Sequence, residues 1–228
     1  KTDATLRLAD GYFVTKQYWP AMEMYNSILN SNSSYKDYAA FQKAVSYGFV
    51  DKNPTKIEEL QKFISNYKSS SLVDDAYYEL GSTYANSNQT SKAIETFNQL
   101  LTNYPKSNLA SKAILRQGVV YINANDEDKA IERFKKVVND YPGSQDAIEA
   151  VQNARIAYLD TGRSNEFAAW VKGLDFVDIS TAELENDVYT SAENQMAQNN
   201  NDAALKSLKD YIANYPNGLH ATKAHFNT

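Results

Sequence analysis

The chain is expected to fold as an all-α solenoid of about six helix pairs, and three observations predict it. The first is a pattern written twice at a distance of 37 residues. Tyr77, Leu80, Gly81, Tyr84, Ala93, Phe97, Leu100 and Pro105 are answered by Ile114, Gln117, Gly118, Tyr121, Ala130, Phe134, Val137 and Pro142. Self-similarity at a period of roughly 20–50 residues marks a stacked repeat array. The second is a position that must turn the chain, held by Asn88, Asn125, Gly162 and Asn199, each 37 beyond the last. Glycine and asparagine enter the left-handed conformation most cheaply, and that conformation ends helices. The third is the scarcity of helix breakers, 8 glycines and 5 prolines in 228 residues.

Taken in order, tyrosines count out the repeats. Tyr12, Tyr47, Tyr84, Tyr121 and Tyr158 mark successive first helices, with one step of 35 and then steps of 37, after which the slot holds Gln195. Tyr67, Tyr104, Tyr141 and Tyr215 mark the ends of second helices in the same phase. The repeats are expected at 1–34, 35–70, 71–107, 108–144, 145–180 and 181–218, with a truncated seventh at 219–228, as one solenoid domain. In the third repeat Tyr77, Leu80, Gly81 and Tyr84 fall on one helical face, and Ala93, Phe97 and Leu100 on another. Pro105, Pro142 and Pro216 stop the second helices. Ser107 and Ser144 suit N-caps, and Ser180 with Glu183 forms a capping box. Ala9, Ala44, Gly81, Gly118 and Ala192 share one slot, where a small side chain lets helices approach closely. The fifth repeat departs, with Arg155 in that slot and Phe167, Trp170 and Phe176 where other repeats are not aromatic. The chain starts just ahead of one helical pattern and stops inside another. That reads as a fragment of a longer protein, whose exposed terminal repeats would self-associate.

Composition narrows the function. A net charge of −5 from 28 acids and 23 bases, mixed along the chain, leaves no basic stripe for nucleic acid. There is no cysteine, hence no disulfide or thiolate metal site. No apolar run approaches the ~20 residues that span a bilayer. His220 and His225, the only histidines, are five apart rather than the four of a helical metal pair. The run Asn125–Asp128 lacks the glycine and glutamate of a calcium loop and reads as a turn leading into a helix. No nucleophile elbow or glycine-rich phosphate loop occurs. The expectation is therefore no enzyme, no cofactor and no metal.

The set Tyr77, Leu80, Gly81, Tyr84, Ala93, Phe97, Leu100 and Pro105 resembles the tetratricopeptide repeat signature. The resemblance implies a right-handed α-α superhelix whose first helices line a concave groove. Longer than the usual repeat, with Tyr-Pro at the joins, the pattern is similar to tetratricopeptide proteins of the bacterial cell envelope. Those include the outer-membrane assembly lipoprotein and the Tol–Pal coordinator. The resemblance places Tyr38, Phe41, Tyr78, Glu79, Lys112, Leu115, Arg116, Asn123 and Tyr189 in the groove. Tyr38, Tyr78 and Tyr189 are expected exposed as half-wet anchors, and Val119 and Ile156 buried. A co-chaperone carboxylate clamp is not implied, because Phe41, Val45 and Glu79 stand where it needs Lys, Asn and Asn. Lys112 and Arg116 alone match it.

The function implied is a non-catalytic scaffold that binds a protein or peptide segment, in the periplasm or at the outer membrane, with a cytoplasmic place left open. Two alternatives are a regulatory or substrate-recruiting module of a larger enzyme, and a glycan- or nutrient-uptake component with Trp170 stacking on sugars.

Overall fold

The computed structural model describes residues 2–228, which form thirteen helices and no strand. Twelve of the helices pair in sequence: α1 (Thr2–Val14) with α2 (Tyr18–Leu29), α3 (Lys36–Gly48) with α4 (Asn53–Asn66), and α5 (Val73–Asn86) with α6 (Thr90–Asn103). Next come α7 (Ala110–Asn123) with α8 (Glu127–Asp140), α9 (Gln145–Asp160) with α10 (Ser164–Val171), and α11 (Thr181–Ala197) with α12 (Asn201–Asn214). The short α13 (Ala221–Phe226) follows.

Contacts gather the chain into two compact halves, Lys1–Ala113 and Ile114–Thr228. In the first, each helix from α1 to α6 packs on the next. In the second, α8 packs on α9, α9 on α10 and α11, and α11 on α12, with α13 against α12. Ala9, Ala21, Tyr25, Ile28 and Ala39 form one core cluster, and Val188, Tyr189, Ala192, Leu208, Tyr211 and Ala224 another.

The turn that joins each pair is the same six times. Lys16, Asp51, Asn88, Asn125, Gly162 and Asn199 all have positive φ, between 54° and 71°. The next residue's N–H reaches back five positions, to the carbonyls of Tyr12, Tyr47, Tyr84, Tyr121, Tyr158 and Gln195, at 2.8 to 2.9 Å. That is the Schellman bond, which satisfies a carbonyl left open at the helix end. The in-phase residues of the first helices thus mark the bond's acceptors. Lys16 and Asp51 occupy the slot although neither is glycine or asparagine, so residue type alone points to only four of the six turns. A left-handed non-glycine residue costs roughly 1–2 kcal/mol. Lys16→Gly is therefore expected to raise stability by about 0.5–1 kcal/mol after the added unfolded-state entropy, read as a higher urea midpoint. An unchanged or lower midpoint would remove strain at Lys16 from the account.

Helix starts follow the sequence unevenly. Ser144 accepts from the Ala147 N–H, and Ser180 and Glu183 form the full capping box. Ser107, expected as an N-cap, accepts from the Leu109 N–H and donates to Asp74 of α5 at 2.7 Å. Ser70 makes the same bond to Asp37 of α3. These serines fasten a join to the preceding first helix. In the fifth repeat α10 is only 8 residues long, and Arg155 reaches across to Asp187 of α11 with two hydrogen bonds.

Candidate binding surfaces

In the N-terminal half the residues assigned to the groove are mostly engaged in packing. Tyr38 is half-buried; its hydroxyl donates to Asp10 at 3.1 Å and its ring meets Tyr25 edge-on. Phe41 is buried against Phe63 of α4. Tyr78 is half-buried with its ring 6.0 Å from Phe97. Glu79 forms a 2.6 Å ion pair with Lys56 of α4. Lys112 is exposed. Phe49, the residue that caps the end of α3, is 55% exposed and stacks on Tyr18 at 4.7 Å.

In the C-terminal half Arg116 and Asn123 are exposed and Leu115 is buried. Two exposure expectations reverse. Tyr189, expected exposed, is 3% exposed, because its ring stacks on His220 at 4.2 Å and meets Tyr211 edge-on. Burial raises the pKa of its hydroxyl, and the Glu193 carboxylate adds to the effect. Ile156, expected buried, is 57% exposed; Val119 is half-buried. A position on a first helix tells which way a residue points, not what the next helix lays over it.

A cleft that the sequence reading missed lies on the other side, among the second helices. The cavity is about 630 Å³, with α4 and α6 as walls and α5 as floor. Gln61, Ile64 and Ser65 of α4, with Lys68 in the turn just beyond it, form one wall, and Lys92, Glu95, Thr96 and Gln99 of α6 the other at helical spacing. Tyr77, Leu80 and Tyr84 lie beneath. Tyr84 is buried, its hydroxyl accepts from Gln61 at 2.9 Å, and Lys92 Nζ sits 5.4 Å above its ring. Its pKa is raised by burial first and then by Glu95. The repeated phase of Tyr84 signalled a shared role, but packing alone also explains that phase.

The fifth repeat shows what its irregular aromatics do. Trp170 is half-buried, 6.2 Å from Phe167 and 6.3 Å from Tyr158, and Lys135 Nζ lies 5.5 Å from the Trp170 and Tyr158 ring centres. Its ring is thereby committed to neighbours in its own half. A smaller cleft of about 480 Å³ lies between Val138, Pro142 and Phe176.

The polar features considered for chemistry have structural partners. Asp126 caps α8 through the Lys129 N–H, and Asp128 pairs with Arg163 at 2.7 Å. Among the described residues no cluster of three His, Asp or Glu side chains is placed to hold a metal, and no helix is long and apolar enough to cross a membrane.

A sequence profile for the tetratricopeptide repeat matches residues 75–107, 112–144 and 189–218. No curated protein matches the sequence. Solved structures share the fold. MamA is 21% identical, with 87% of this chain and 94% of that one covered and a TM-score of 0.60. PilF of Pseudomonas aeruginosa is 14% identical, with 100% and 97% covered and a TM-score of 0.59. PilW, described as a widely conserved type IV pilus biogenesis factor, is 17% identical, with 97% of each chain covered and a TM-score of 0.59. The chain thus carries tetratricopeptide repeats over those three stretches, and its fold is a tetratricopeptide-like solenoid of helix pairs.

Proposed function

We propose that the protein is a non-catalytic scaffold that binds a segment of a partner protein on its first-helix face, in the assembly of a bacterial cell envelope. Tetratricopeptide repeats serve protein–protein association, and the repeats matched here supply that general role. The observation that carries the placement is the exposure of Lys112, Arg116 and Asn123 on α7, while Phe41, Leu115 and Tyr189 are drawn into the core. The exposed cations suit an acidic group on the partner. A stacked array holds such a face ready, so the partner does not bear the cost of ordering it. The envelope assignment is supported by the fold shared with a pilus biogenesis factor and by the Tyr-Pro joins.

The test is quantitative capture from a lysate of the source cells with the wild-type chain and with Lys112→Glu/Arg116→Glu. Both positions are exposed, so the variant is expected to keep its fold and to lose a defined subset of bound proteins. Identical protein sets for the two baits would overturn the placement on α7.

A further inference from the structure

The cleft between α4 and α6 resembles a socket whose filling the molecule itself displays elsewhere. Helix α8 starts and ends 74 residues after α4, and α10 starts 74 after α6, which is two periods. Gln61, Tyr84 and Thr96 therefore correspond to Lys135, Tyr158 and Trp170. In the C-terminal half the Trp170 indole packs beside Tyr158 with the Lys135 ammonium near both rings. In the N-terminal half Thr96 ends far short of where an indole would reach, and its hydroxyl turns back to the Lys92 carbonyl. The volume of about 630 Å³ over Tyr84 is what remains.

We propose that this cleft is a second binding site, taking an aromatic side chain carried on an extended segment of a partner protein. The site lies on second helices and does not depend on the face that holds Arg116. An entering ring meets the Tyr84 phenol with Lys92 Nζ already 5.4 Å from it, as the Trp170 ring meets Tyr158 and Lys135. Aromatic pairs and ring–cation contacts of this kind favour aromatic over aliphatic side chains. The rim suits a peptide backbone. Gln61 and Gln99 are exposed on opposite walls, and each carboxamide offers both a donor and an acceptor to a peptide unit. From Gln61 to Ser65 the wall rises about 6 Å along α4, the reach of two residues at about 3.3 Å each in extended chain. Lys68 faces Lys92 and Glu95 of α6 across the site, and neither Lys68 nor Glu95 has an ion pair among the described residues. Charges of both signs on the rim favour a segment without strong net charge.

The experiment is an NMR titration of the isotopically labelled chain with the capped tripeptides Ala-Trp-Ala and Ala-Leu-Ala and with the disaccharide chitobiose. The tryptophan peptide is expected to shift amides around Gln61–Lys68, Tyr84 and Gln99 saturably, and the leucine peptide to bind about tenfold more weakly. Thr96→Trp, which copies the filled cleft, should abolish those shifts. If that buried substitution unfolds the chain by circular dichroism, Gln99→Trp on the exposed wall should block the cleft instead. Equal binding of the leucine peptide, no saturable shift, shifts on the first helices, or chitobiose binding where the peptide does not would each overturn the site. Lys112→Glu/Arg116→Glu should leave the titration unchanged, so this inference and the first-helix reading fail separately.

Discussion

Arg155→Ala is expected to cost about 3 kcal/mol at neutral pH, as expected when one partner of a buried ion pair is removed. Arg155 Nε and Nη2 donate to the Asp187 carboxylate at 2.7 and 2.8 Å, and the Asp187 side chain is only 5% exposed. Without the guanidinium that carboxylate stays buried and unpaired. Asp187→Ala should cost less, because the Arg155 side chain is 31% exposed and its freed charge can reach water. The deficit carries a pH signature. Burial raises the Asp187 pKa above its ordinary 3.8, and the Arg155 bonds and charge oppose that rise. Between the unfolded and folded values the folded state holds the extra proton, so stability falls as pH rises through that window. Removing Arg155 extends the window upward. The gap in Tm between variant and wild type should therefore be widest at neutral pH and narrow on acidification. A gap independent of pH would mean that the freed carboxylate reaches water.

Gly118→Val is expected to cost about 3 kcal/mol, the upper end of ordinary overpacking. A Cβ added at Gly118 would lie within 2.7 Å of Phe134 Cδ1, and Phe134 is fully buried. The ring cannot swing away without opening the core around it. Gly81 stands against Phe97 in the same way one period earlier, with a Cβ again at 2.7 Å. The contrast is Gly11 in α1, where an added Cβ meets nothing within 4 Å. There Gly11→Ala should stabilise by about 0.5–1 kcal/mol through helix propensity alone. Urea midpoints of the two variants should move in opposite directions. A Gly118→Val midpoint at or above wild type would show that the two helices are not in contact through that slot.

Both cases show how far a repeat can be read. The slot shared by Gly81, Gly118 and Arg155 was visible as spacing, and so was the oddness of an arginine in it. Spacing does not show that Arg155 answers to Asp187, since no other repeat keeps that pair. The left-handed turns were legible at Asn88, Asn125, Gly162 and Asn199, where residue type and conformation agree. At Lys16 and Asp51 packing of the helix pair imposes the same φ on unsuited residues. The first-helix face was placed by the tetratricopeptide resemblance, yet Phe41, Leu115 and Tyr189 are buried and Ile156 is exposed.

From the sequence by itself came the period of 37, the alternation of helices and the place of the turns. These follow from contacts within a repeat, and such contacts recur at fixed separations along the chain. Only the tertiary structure decided which faces stay open, because exposure depends on what neighbouring helices lay across a residue. Thr96 and Trp170 hold equivalent positions two periods apart. One leaves a cleft and the other fills it, because side-chain volume meets the facing helix only once the helices are packed.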